Sequence, residues 1–380
     1  MWSKLWRGSM DERTIGLDIG THSIKAAEVE EEHGVLRLIN FSSISTPPNA
    51  IRDGVITNER AVSDAIAELV GKSKIRANRA VAAVAGPTIV ARYIEVPEMR
   101  EAQLRQSLNF EARNYIPFSI DDAILECQIM ERSENTAAGK MRVLLVAAHR
   151  QLVDSRVAAI ESAGLDPIAI ELEPFALIRA AIDTNINEQL RKQTVALINL
   201  GASLSDICIV RDGEFVFSRS VGIAGNSLTS AISSALRIDT SEAEDLKRNI
   251  AVATTVEDMG SAEGRVREAN YAIFPILDEL IRETRRSLNY YQSQFPEGSR
   301  SGLISKVVLA GGTAKLKGVE RYFAHRLDLE VEVADVFRDA ALEARGFESD
   351  YLSDVSPGFV LPIGLAFREI MRTKKSLLPA

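Results

Sequence analysis

The chain has 380 residues, nearly half of them apolar, and a formal net charge of −8. This length suggests two domains or one large two-lobed domain, and the apolar fraction is ample for a buried core. The acidic balance argues against a nucleic-acid partner, because binding to a phosphate backbone depends on clustered cations. Cys127 and Cys208 lie far apart in apolar runs, so we expect buried thiols in a reducing compartment.

No apolar run reaches the ~18 residues that span a bilayer, and the N-terminus has no features of a secretory signal. We therefore expect a cytoplasmic protein. An arm at 1–13 places Trp2, Leu5 and Trp6 at helical spacing with basic residues between them. This pattern is typical either of a segment that docks on a membrane surface or a partner, or of a frayed end, which so short an arm favours.

Strand and helix patterns alternate along the chain, which predicts an α/β fold. Predicted strands cover 15–29, 36–45, 81–85, 89–96, 142–148, 195–210, 214–221, 307–310 and 329–333. Predicted helices include one between Asn58 and Gly71, one at 98–115, one that ends at Gly164, and a long one near Pro275.

The most informative feature is an internal echo. The segment IGLDIGTHSIKAAEV at 15–29 resembles ALINLGASLSDICIV at 196–210. Each has a strand with one polar residue, a glycine, a small hydroxylated turn and a second strand, and each continues through a further glycine turn. Two such units, far apart in the chain, indicate a duplicated fold with a cleft between its halves.

Each of these turns can form an anion pocket, because glycine lets backbone N–H groups converge beside hydroxyl side chains. Asp18 interrupts the first strand, and a carboxylate at the floor of such a pocket can hold Mg²⁺, usually through water. Lys25 can reach phosphate if its side chain turns back towards the cleft. One such turn alone is usually an ordinary hairpin, but the second copy favours function. The predicted turn residues are Gly20, Thr21, His22 and Ser23, with Gly201, Ala202, Ser203 and Ser205.

A third glycine cluster ends the strand at 307–310, in VVLAGGTAKLKGV. There a base or ribose could approach the backbone of Gly311 and Gly312 closely, with Thr313 placed to cap the next helix. The segment fits neither the Walker A register nor G-x-G-x-x-G, and by itself it fits a plain strand-to-helix turn equally well.

In this order, the three turns resemble the actin-like ATPase superfamily, which includes actin, sugar kinases, heat-shock chaperones, MreB and FtsA. The resemblance spans about residues 14–370. It implies a duplicated, ribonuclease H-like, two-lobed ATPase fold that binds ATP with Mg²⁺ between the lobes. The metal would lie near Asp18 and Asn199. The nucleotide would contact both turns, and also Lys25, Glu244, Lys247, Gly311, Gly312, Thr313 and Lys315.

Further segments carry the same resemblance. AEDLK at 243–247 resembles a helix that brackets the nucleoside. ELEPFALIRAA at 171–181 resembles an interdomain helix whose glutamate, here Glu173, orients the attacking water. PIGLAFRE at 362–369 resembles the second interdomain helix, with Gly364 at a close crossing. Each segment alone also fits a plain surface ion pair, helix start or packing contact.

The segment from about 84 to 166 is an insertion that ordinary actins and sugar kinases lack in this form, an FtsA/PilM-type subdomain. Its V-P-E-M, I-P-F and L-D-P motifs resemble the PilM family of the type IV pilus inner-membrane platform. The resemblance implies a scaffold at the inner face of the inner membrane that holds the cytoplasmic N-terminal tail of PilN as an extended peptide. It also implies communication with PilC, PilB and PilT, and it leaves self-association open. The expected groove residues are Tyr93, Val96, Met99, Ile116 and Phe118.

The implied boundaries divide the chain as follows. After the arm come a first lobe at 14–85, 167–190 and 355–380, the insertion at 86–166, a second lobe at 191–245 and 301–354, and its helical part at 246–300. Asn199 stands where the second phosphate motif normally begins with aspartate. An amide gives Mg²⁺ no negative charge, so we expect ATP to act mainly as a structural ligand, with slow hydrolysis at best.

Three alternatives stay open: an FtsA-like cell-division protein, an actin-like scaffold of type II secretion, and a small-molecule kinase of the same superfamily. An FtsA-type protein would carry a C-terminal amphipathic helix, for which REIMRTKKSLLPA has too few apolar residues. A kinase would need a base and a polar sugar pocket in the inserted region, where no candidate aspartate stands out.

Overall fold

The computed structural model describes residues 13–130, 137–249, 251–253, 264–296 and 302–377, with side chains as far as residue 372. Trp2, Leu5 and Trp6 of the predicted arm lie outside the described residues. Within the described part of the chain, no helix is both long and apolar enough to cross a membrane.

The elements follow one another in a mixed α/β order. The strands are β1 (Thr14–Ile19), β2 (Ser23–Glu32), β3 (Val35–Ser45), β4 (Ile51–Arg52), β5 (Val55–Ile56), β6 (Arg79–Val84), β7 (Ile89–Pro97), β8 (Ala123–Ile129), β9 (Lys140–His149), β10 (Asp166–Leu172), β11 (Thr194–Leu200), β12 (Ser205–Arg211), β13 (Glu214–Val221), β14 (Lys306–Ala310), β15 (Glu330–Val333) and β16 (Leu342–Glu343). The α-helices are α1 (Glu59–Lys72), α2 (Glu101–Ala112), α3 (Arg150–Ser162), α4 (Glu173–Ile178), α5 (Gly225–Leu236), α6 (Thr240–Asn249), α7 (Gly264–Gln292), α8 (Val319–Leu327), α9 (Val336–Asp339), α10 (Ser349–Val355) and α11 (Val360–Leu377).

Two sheets repeat one topology. The first has the strand order β10–β6–β1–β2–β3–β16, and the second has β13–β12–β11–β14–β15. In each, an antiparallel meander of three consecutive strands is extended at its first strand by a parallel strand from later in the chain. The duplicated two-lobed fold predicted from the sequence is confirmed at the level of strand order and direction.

Two helices lie between these sheets and share one core with both of them. A Cβ atom on Gly364 of α11 would lie 1.9 Å from the Ala176 carbonyl oxygen of α4, and one on Gly16 of β1 would lie 1.9 Å from the Pro362 carbonyl oxygen. Any larger residue at either position would overlap backbone atoms. The close crossing expected at Gly364 is therefore present, and α11 lies directly against both α4 and β1.

The inserted subdomain is a small sheet of order β7–β9–β8 with α2 covering one face. Two boundaries differ from the predicted ones. Helix α3, predicted within the insertion, packs Ala159 and Ile160 into the core of the first lobe. Strand β16, predicted in the second lobe, pairs with β3 of the first sheet, because Leu342 lies opposite Leu36.

The two ends of α1 test the sequence signals that predicted where this helix begins and ends. The Asn58 side chain accepts a hydrogen bond from the Ala61 N–H (3.1 Å), as expected for an N-cap. The helix nevertheless continues through Gly71 to Lys72, so the predicted stop at Gly71 was wrong. A glycine inside a helix lowers its stability but does not end it when the rest of the face is packed.

Candidate functional site: the cleft between the lobes

The two echoing turns have the same backbone geometry. The Gly20 N–H donates to the Ser23 carbonyl (3.2 Å), and the Gly201 N–H donates to the Leu204 carbonyl (3.0 Å). A Cβ atom would lie 2.9 Å from the carbonyl oxygen of Ser23 in the first turn and 2.7 Å from that of Leu204 in the second. Each turn therefore needs glycine, and the echo in sequence is an echo in structure.

Each of these turns lies near the opposite lobe. The Leu204 side chain, in the second turn, lies 3.8 Å from the Cβ position of Gly86 in the first lobe. His22, in the first turn, is exposed, yet surrounding protein still lowers the pKa of its imidazole by desolvation, while Glu244 opposes this and Arg248 adds to it. Because the last two residues belong to α6, the first turn faces the second lobe.

Asp18 and Lys25 form an ion pair on the first-lobe side of this cleft. They lie directly opposite each other in the β1–β2 register, and the Lys25 Nζ is 3.0 Å from the Asp18 Oδ2. The side chains are only 12% and 17% exposed. Lys25 therefore does turn back towards Asp18. An incoming anion and cation would compete for the two members of this pair.

Glu173, at the first position of α4, is held from the second lobe. The Asn199 amide Nδ2 donates to the Glu173 Oε2 (3.0 Å). Burial of its carboxyl group raises the pKa of Glu173 to about 8, with Asp206 and Asp18 adding repulsion and Arg156 opposing it. The Glu173 carboxyl group thus feels the charges of Asp206 and Asp18, and Asn199 acts as a hydrogen-bond donor to it.

Asp206 was not predicted as a site residue. It lies opposite Asn199 in the β11–β12 register and is 6% exposed. Burial raises the pKa of Asp206 to about 6, and the hydrogen bond from the Ser220 hydroxyl opposes that shift. The signal that could have found it is the one used for Asp18, an aspartate inside an apolar strand.

The third glycine turn is fastened to the second. The Thr313 hydroxyl donates to the Gly201 carbonyl (2.8 Å), and Gly318 occupies the N-cap of α8, so Thr313 does not cap the next helix as predicted. Gly311 has φ of +92°, and a Cβ atom there would lie 2.4 Å from the Leu200 carbonyl oxygen. The Gly311 N–H donates to the Pro357 carbonyl (2.7 Å). The predicted adenosine turn therefore adjoins the predicted phosphate turn.

Glu244 and Lys247 form a buried network rather than a surface ion pair. The Lys247 ammonium is 2.6 Å from the Glu244 carboxylate and donates to the Thr229 hydroxyl (2.8 Å) and the Gly225 carbonyl (3.1 Å). Burial lowers the pKa of Lys247, and Glu244 opposes that shift. Gly225 also adjoins Thr313, because a Cβ atom there would lie 2.5 Å from the threonine hydroxyl oxygen. The network therefore backs onto the third turn.

Two predicted site residues are not brought into this group. Ser205 is fully buried and its hydroxyl donates to the Ile223 carbonyl (2.7 Å). Side chains alternate along β12, so Asp206, and not Ser205, faces the interlobe side. Lys315 forms an exposed ion pair with Asp354 (2.7 Å). The other predicted turn residues stay accessible: Thr21, Ser23, Ala202 and Ser203 are half-buried, and Gly312 is exposed.

The predicted groove residues do not share one surface. Val96 is fully buried with Met99 partly buried beside it, in the core under α2. Residues three apart in a strand face opposite sides, so Tyr93 lies on the other face. Its hydroxyl donates to the Phe215 carbonyl of the second lobe (2.7 Å), and the Arg142 guanidinium lies 3.8 Å from its ring centre. The prediction that Val96 lines a peptide groove was wrong.

Ile116 and Phe118 remain half-buried in the segment after α2, with the Phe118 ring 5.7 Å from the ring of His149. A cavity of about 420 Å³ lies nearby, between α2 and the edge strand β8. Its lining comprises Arg105, Leu108, Asn109, Ala123, Ile124, Leu125 and Arg150. Its lining combines apolar side chains with the edge strand β8. The Arg105 guanidinium pairs with Glu101 and Glu126, and that of Arg150 donates to the Ala123 carbonyl.

Both cysteines are free thiols. Cys208 is buried, as expected, and burial raises the pKa of its thiol. Cys127 is only half-buried, so that part of the expectation was wrong. Within the described ranges, no group of three or more histidine, cysteine, aspartate or glutamate side chains is arranged to hold a metal ion.

The duplicated sheets and the interlobe cleft define an actin-like ATPase fold. EutJ from Carboxydothermus hydrogenoformans shares this fold at 16% identity and a TM-score of 0.54, covering 94% of this chain and 90% of that chain. MreB5 of Spiroplasma citri, solved bound to ADP, does so at 15% identity and a TM-score of 0.54, covering 97% and 99%. The cell division protein FtsA of Neisseria meningitidis serogroup B is 24% identical over 383 residues, covering 92% of this chain and 88% of the relative.

Within this fold class, the chain can be assigned to one family. The family described as type IV pilus assembly protein PilM matches residues 16–370, so the chain belongs to the PilM family. A solved PilM–PilN type IV pilus biogenesis complex superposes with a TM-score of 0.78 at 26% identity, covering 94% of this chain and 98% of that chain.

Proposed function

We propose that this protein binds ATP with Mg²⁺ in the interlobe cleft and serves as a nucleotide-dependent scaffold in type IV pilus assembly. The observation that carries the proposal is that the second and third glycine turns are joined and the first turn faces their lobe. Thr313 of the third turn bonds the backbone of Gly201 in the second, while His22 of the first faces α6. Glycine turns lined with hydroxyl side chains at such a junction are suited to binding a polyphosphate.

The residues around the cleft fit this ligand. Lys25 can exchange its bond to Asp18 for one to phosphate, since both partners are charged and nearly buried. Asp18 then remains free to hold the water shell of a phosphate-bound Mg²⁺, which neutralises phosphate charge when bound. The small number of protein carboxylates in reach suits a cation that keeps most of its waters.

Hydrolysis should be slow. Glu173 would orient the attacking water, but a carboxyl group with a pKa of about 8 is largely protonated at neutral pH and accepts a proton poorly. Asn199 occupies its amide with Glu173 and brings no negative charge to the metal. We therefore propose that bound ATP mainly joins the two lobes.

The partner in this proposal is the cytoplasmic N-terminal tail of PilN. The likeness to the PilM–PilN complex supports it. The tail would lie along the inserted subdomain near Ile116 and Phe118, where the cavity beside β8 leaves a strand edge for main-chain hydrogen bonds. Tail binding would hold this protein at the inner face of the inner membrane.

Calorimetric titration of the purified chain with ATP, in the presence of Mg²⁺ or of EDTA, tests the nucleotide part. A tail peptide from the partner encoded in the same genome tests the other part. We expect saturable binding of both ligands and fewer than about one turnover per minute of ATP, well below ordinary enzymes. Hydrolysis at rates typical of a kinase, or no binding of ATP, would contradict the proposal.

A further inference from the structure

Arg156 is a buried arginine at the junction of α3, the β4–β5 turn and the cleft. Its side chain is 4% exposed. Its Nη1 donates to the Gly54 carbonyl (2.7 Å) and to the Leu152 carbonyl (3.1 Å). Its Nε has no hydrogen-bond partner among the described residues. Burying a cation whose partners are mainly two backbone carbonyls costs folding free energy. A fold that retains such a cation therefore gains a compensating interaction from it.

The position of α3 explains where this charge acts. Strands β1, β6 and β10 are parallel, so their carboxyl ends meet at one edge of the first sheet, where Asp18 and Glu173 lie. Leu152, one helical turn before Arg156, packs against Leu172, the residue before Glu173. The guanidinium thus lies behind the cleft floor.

The same arginine holds a turn of the first lobe. Gly54 has φ of +80°, and its Cβ position lies 3.1 Å from the Leu152 side chain and 3.5 Å from the Ala85 carbonyl oxygen. The turn at 53–54 is therefore packed between α3 and the end of β6. A shift of this turn would move the hydrogen-bonded partner of Arg156.

We infer that Arg156 is a positioning residue that couples the β4–β5 turn to the nucleotide site, by fixing Gly54 and by directing a buried positive charge towards Glu173 and Asp18. This inference rests on the proposed binding of ATP. The electrostatic interaction of Arg156 with the ionised form of Glu173 and with Asp18 opposes the burial of its own charge. In a poorly polarisable interior, such a charge acts over several ångströms. A displacement of the β4–β5 turn is thereby felt at these two side chains.

The experiment compares three variants of the full chain. Arg156→Met removes the charge and keeps the volume, Arg156→Lys keeps the charge, and Arg60→Met makes the same change at a side chain that is 93% exposed. A fluorescent ATP analogue with Mg²⁺ reports affinity, and hydrogen exchange at 51–56 reports the turn. We expect Arg156→Met to weaken binding about tenfold and Arg156→Lys to restore it to within about threefold.

In the wild type and in Arg60→Met, nucleotide should slow exchange at 51–56, and in Arg156→Met this slowing should be lost. A folded Arg156→Met variant that binds the analogue like wild type, with exchange still slowed, would overturn the inference alone. If Arg156→Met does not fold, the Arg156→Lys variant decides. A folded Arg156→Lys chain that binds the analogue about tenfold more weakly than wild type would overturn the inference. A wild-type chain that binds no nucleotide would overturn both this inference and the proposed function.

Discussion

The two phosphate-type turns share a backbone and differ in chemistry. In the first lobe, Asp18 faces Lys25 across the hairpin and the two form an ion pair. At the matching position of the second lobe, Asn199 faces Asp206 and gives its amide to Glu173. The first hairpin therefore presents an ion pair, Asp18 with Lys25, whose members can exchange partners. The second hairpin instead fixes the Glu173 carboxyl group by a hydrogen bond from Asn199.

The two turns therefore keep the residue that the backbone geometry requires, and they differ at a residue that it does not require. Both turns require glycine, because a Cβ atom would approach a carbonyl oxygen within 3 Å in each. The residue two positions before the glycine has no such constraint. It can therefore serve phosphate and metal in one lobe and position Glu173 in the other.

The largest effect should come from breaking the shared feature. Gly20→Ala and Gly201→Ala each force a methyl group against backbone, so we expect a loss of about 1–3 kcal/mol in the free energy of unfolding and loss of nucleotide binding. Gly201→Ala should be the worse of the two. Gly71→Ala, at an open position in the last turn of α1, is the control and should stabilise by up to about 1 kcal/mol. Denaturant unfolding with a nucleotide titration measures all three, and equal behaviour of the three would contradict the account.

A reciprocal exchange sharpens the chemical difference. Asp18→Asn leaves Lys25 without its carboxylate, so it should cost about 2 kcal/mol of stability and abolish the gain in ATP affinity that Mg²⁺ provides. Asn199→Asp replaces a donor to Glu173 by a second carboxylate and should cost about 1–3 kcal/mol without raising hydrolysis.

Thermal melts and a phosphate-release assay, each with Mg²⁺ and with EDTA, follow both variants. A marked rise in Mg²⁺-dependent hydrolysis in Asn199→Asp would show that position 199 is a weakened metal ligand and not a residue that positions Glu173.

The pH dependence of stability reports on the buried carboxyl group of Glu173, which Asn199 of the second lobe holds. The pKa of Glu173 rises from 4.5 to about 8 on folding, chiefly through burial, so the folded state binds its proton more tightly than the unfolded state. This contribution is complete below the unfolded pKa and is lost as pH rises through about 8. Without Mg²⁺ or nucleotide, the melting temperature should fall across this window, and less steeply in Glu173→Gln. Glu161→Gln, at an exposed position, is the control and should keep the wild-type slope of melting temperature against pH. If Glu173→Gln also keeps the wild-type slope, the Glu173 carboxyl group does not cause this pH dependence.

The smallest effect separates the turns from their surroundings. Lys315 was predicted to contact nucleotide, yet its ammonium pairs with Asp354 at the surface. Lys315→Ala should change ATP affinity less than about twofold and stability by less than about 1 kcal/mol, as exposed ion pairs contribute little. A tenfold loss of affinity in the same titration would return Lys315 to the nucleotide site.

The turns of the candidate site could be predicted because they are local. The glycine turns and the strand that carries Asp18 lie at the predicted positions. The failures have a common cause. Whether Ser205 or Asp206 faces the cleft, and which side of β7 is free, depends on strand register and on the helix that covers the sheet. A shift of one residue reverses both answers.

The sequence by itself determined the duplicated hairpins, their glycines and their order along the chain, because turn geometry depends on neighbouring residues and on the absence of a Cβ atom. Tertiary structure alone decided the partners. The contacts of Asn199 with Glu173, Thr313 with Gly201, and Arg156 with Gly54 join segments 26, 112 and 102 residues apart. No local pattern fixes such contacts, since they form only when segments far apart in the chain pack together.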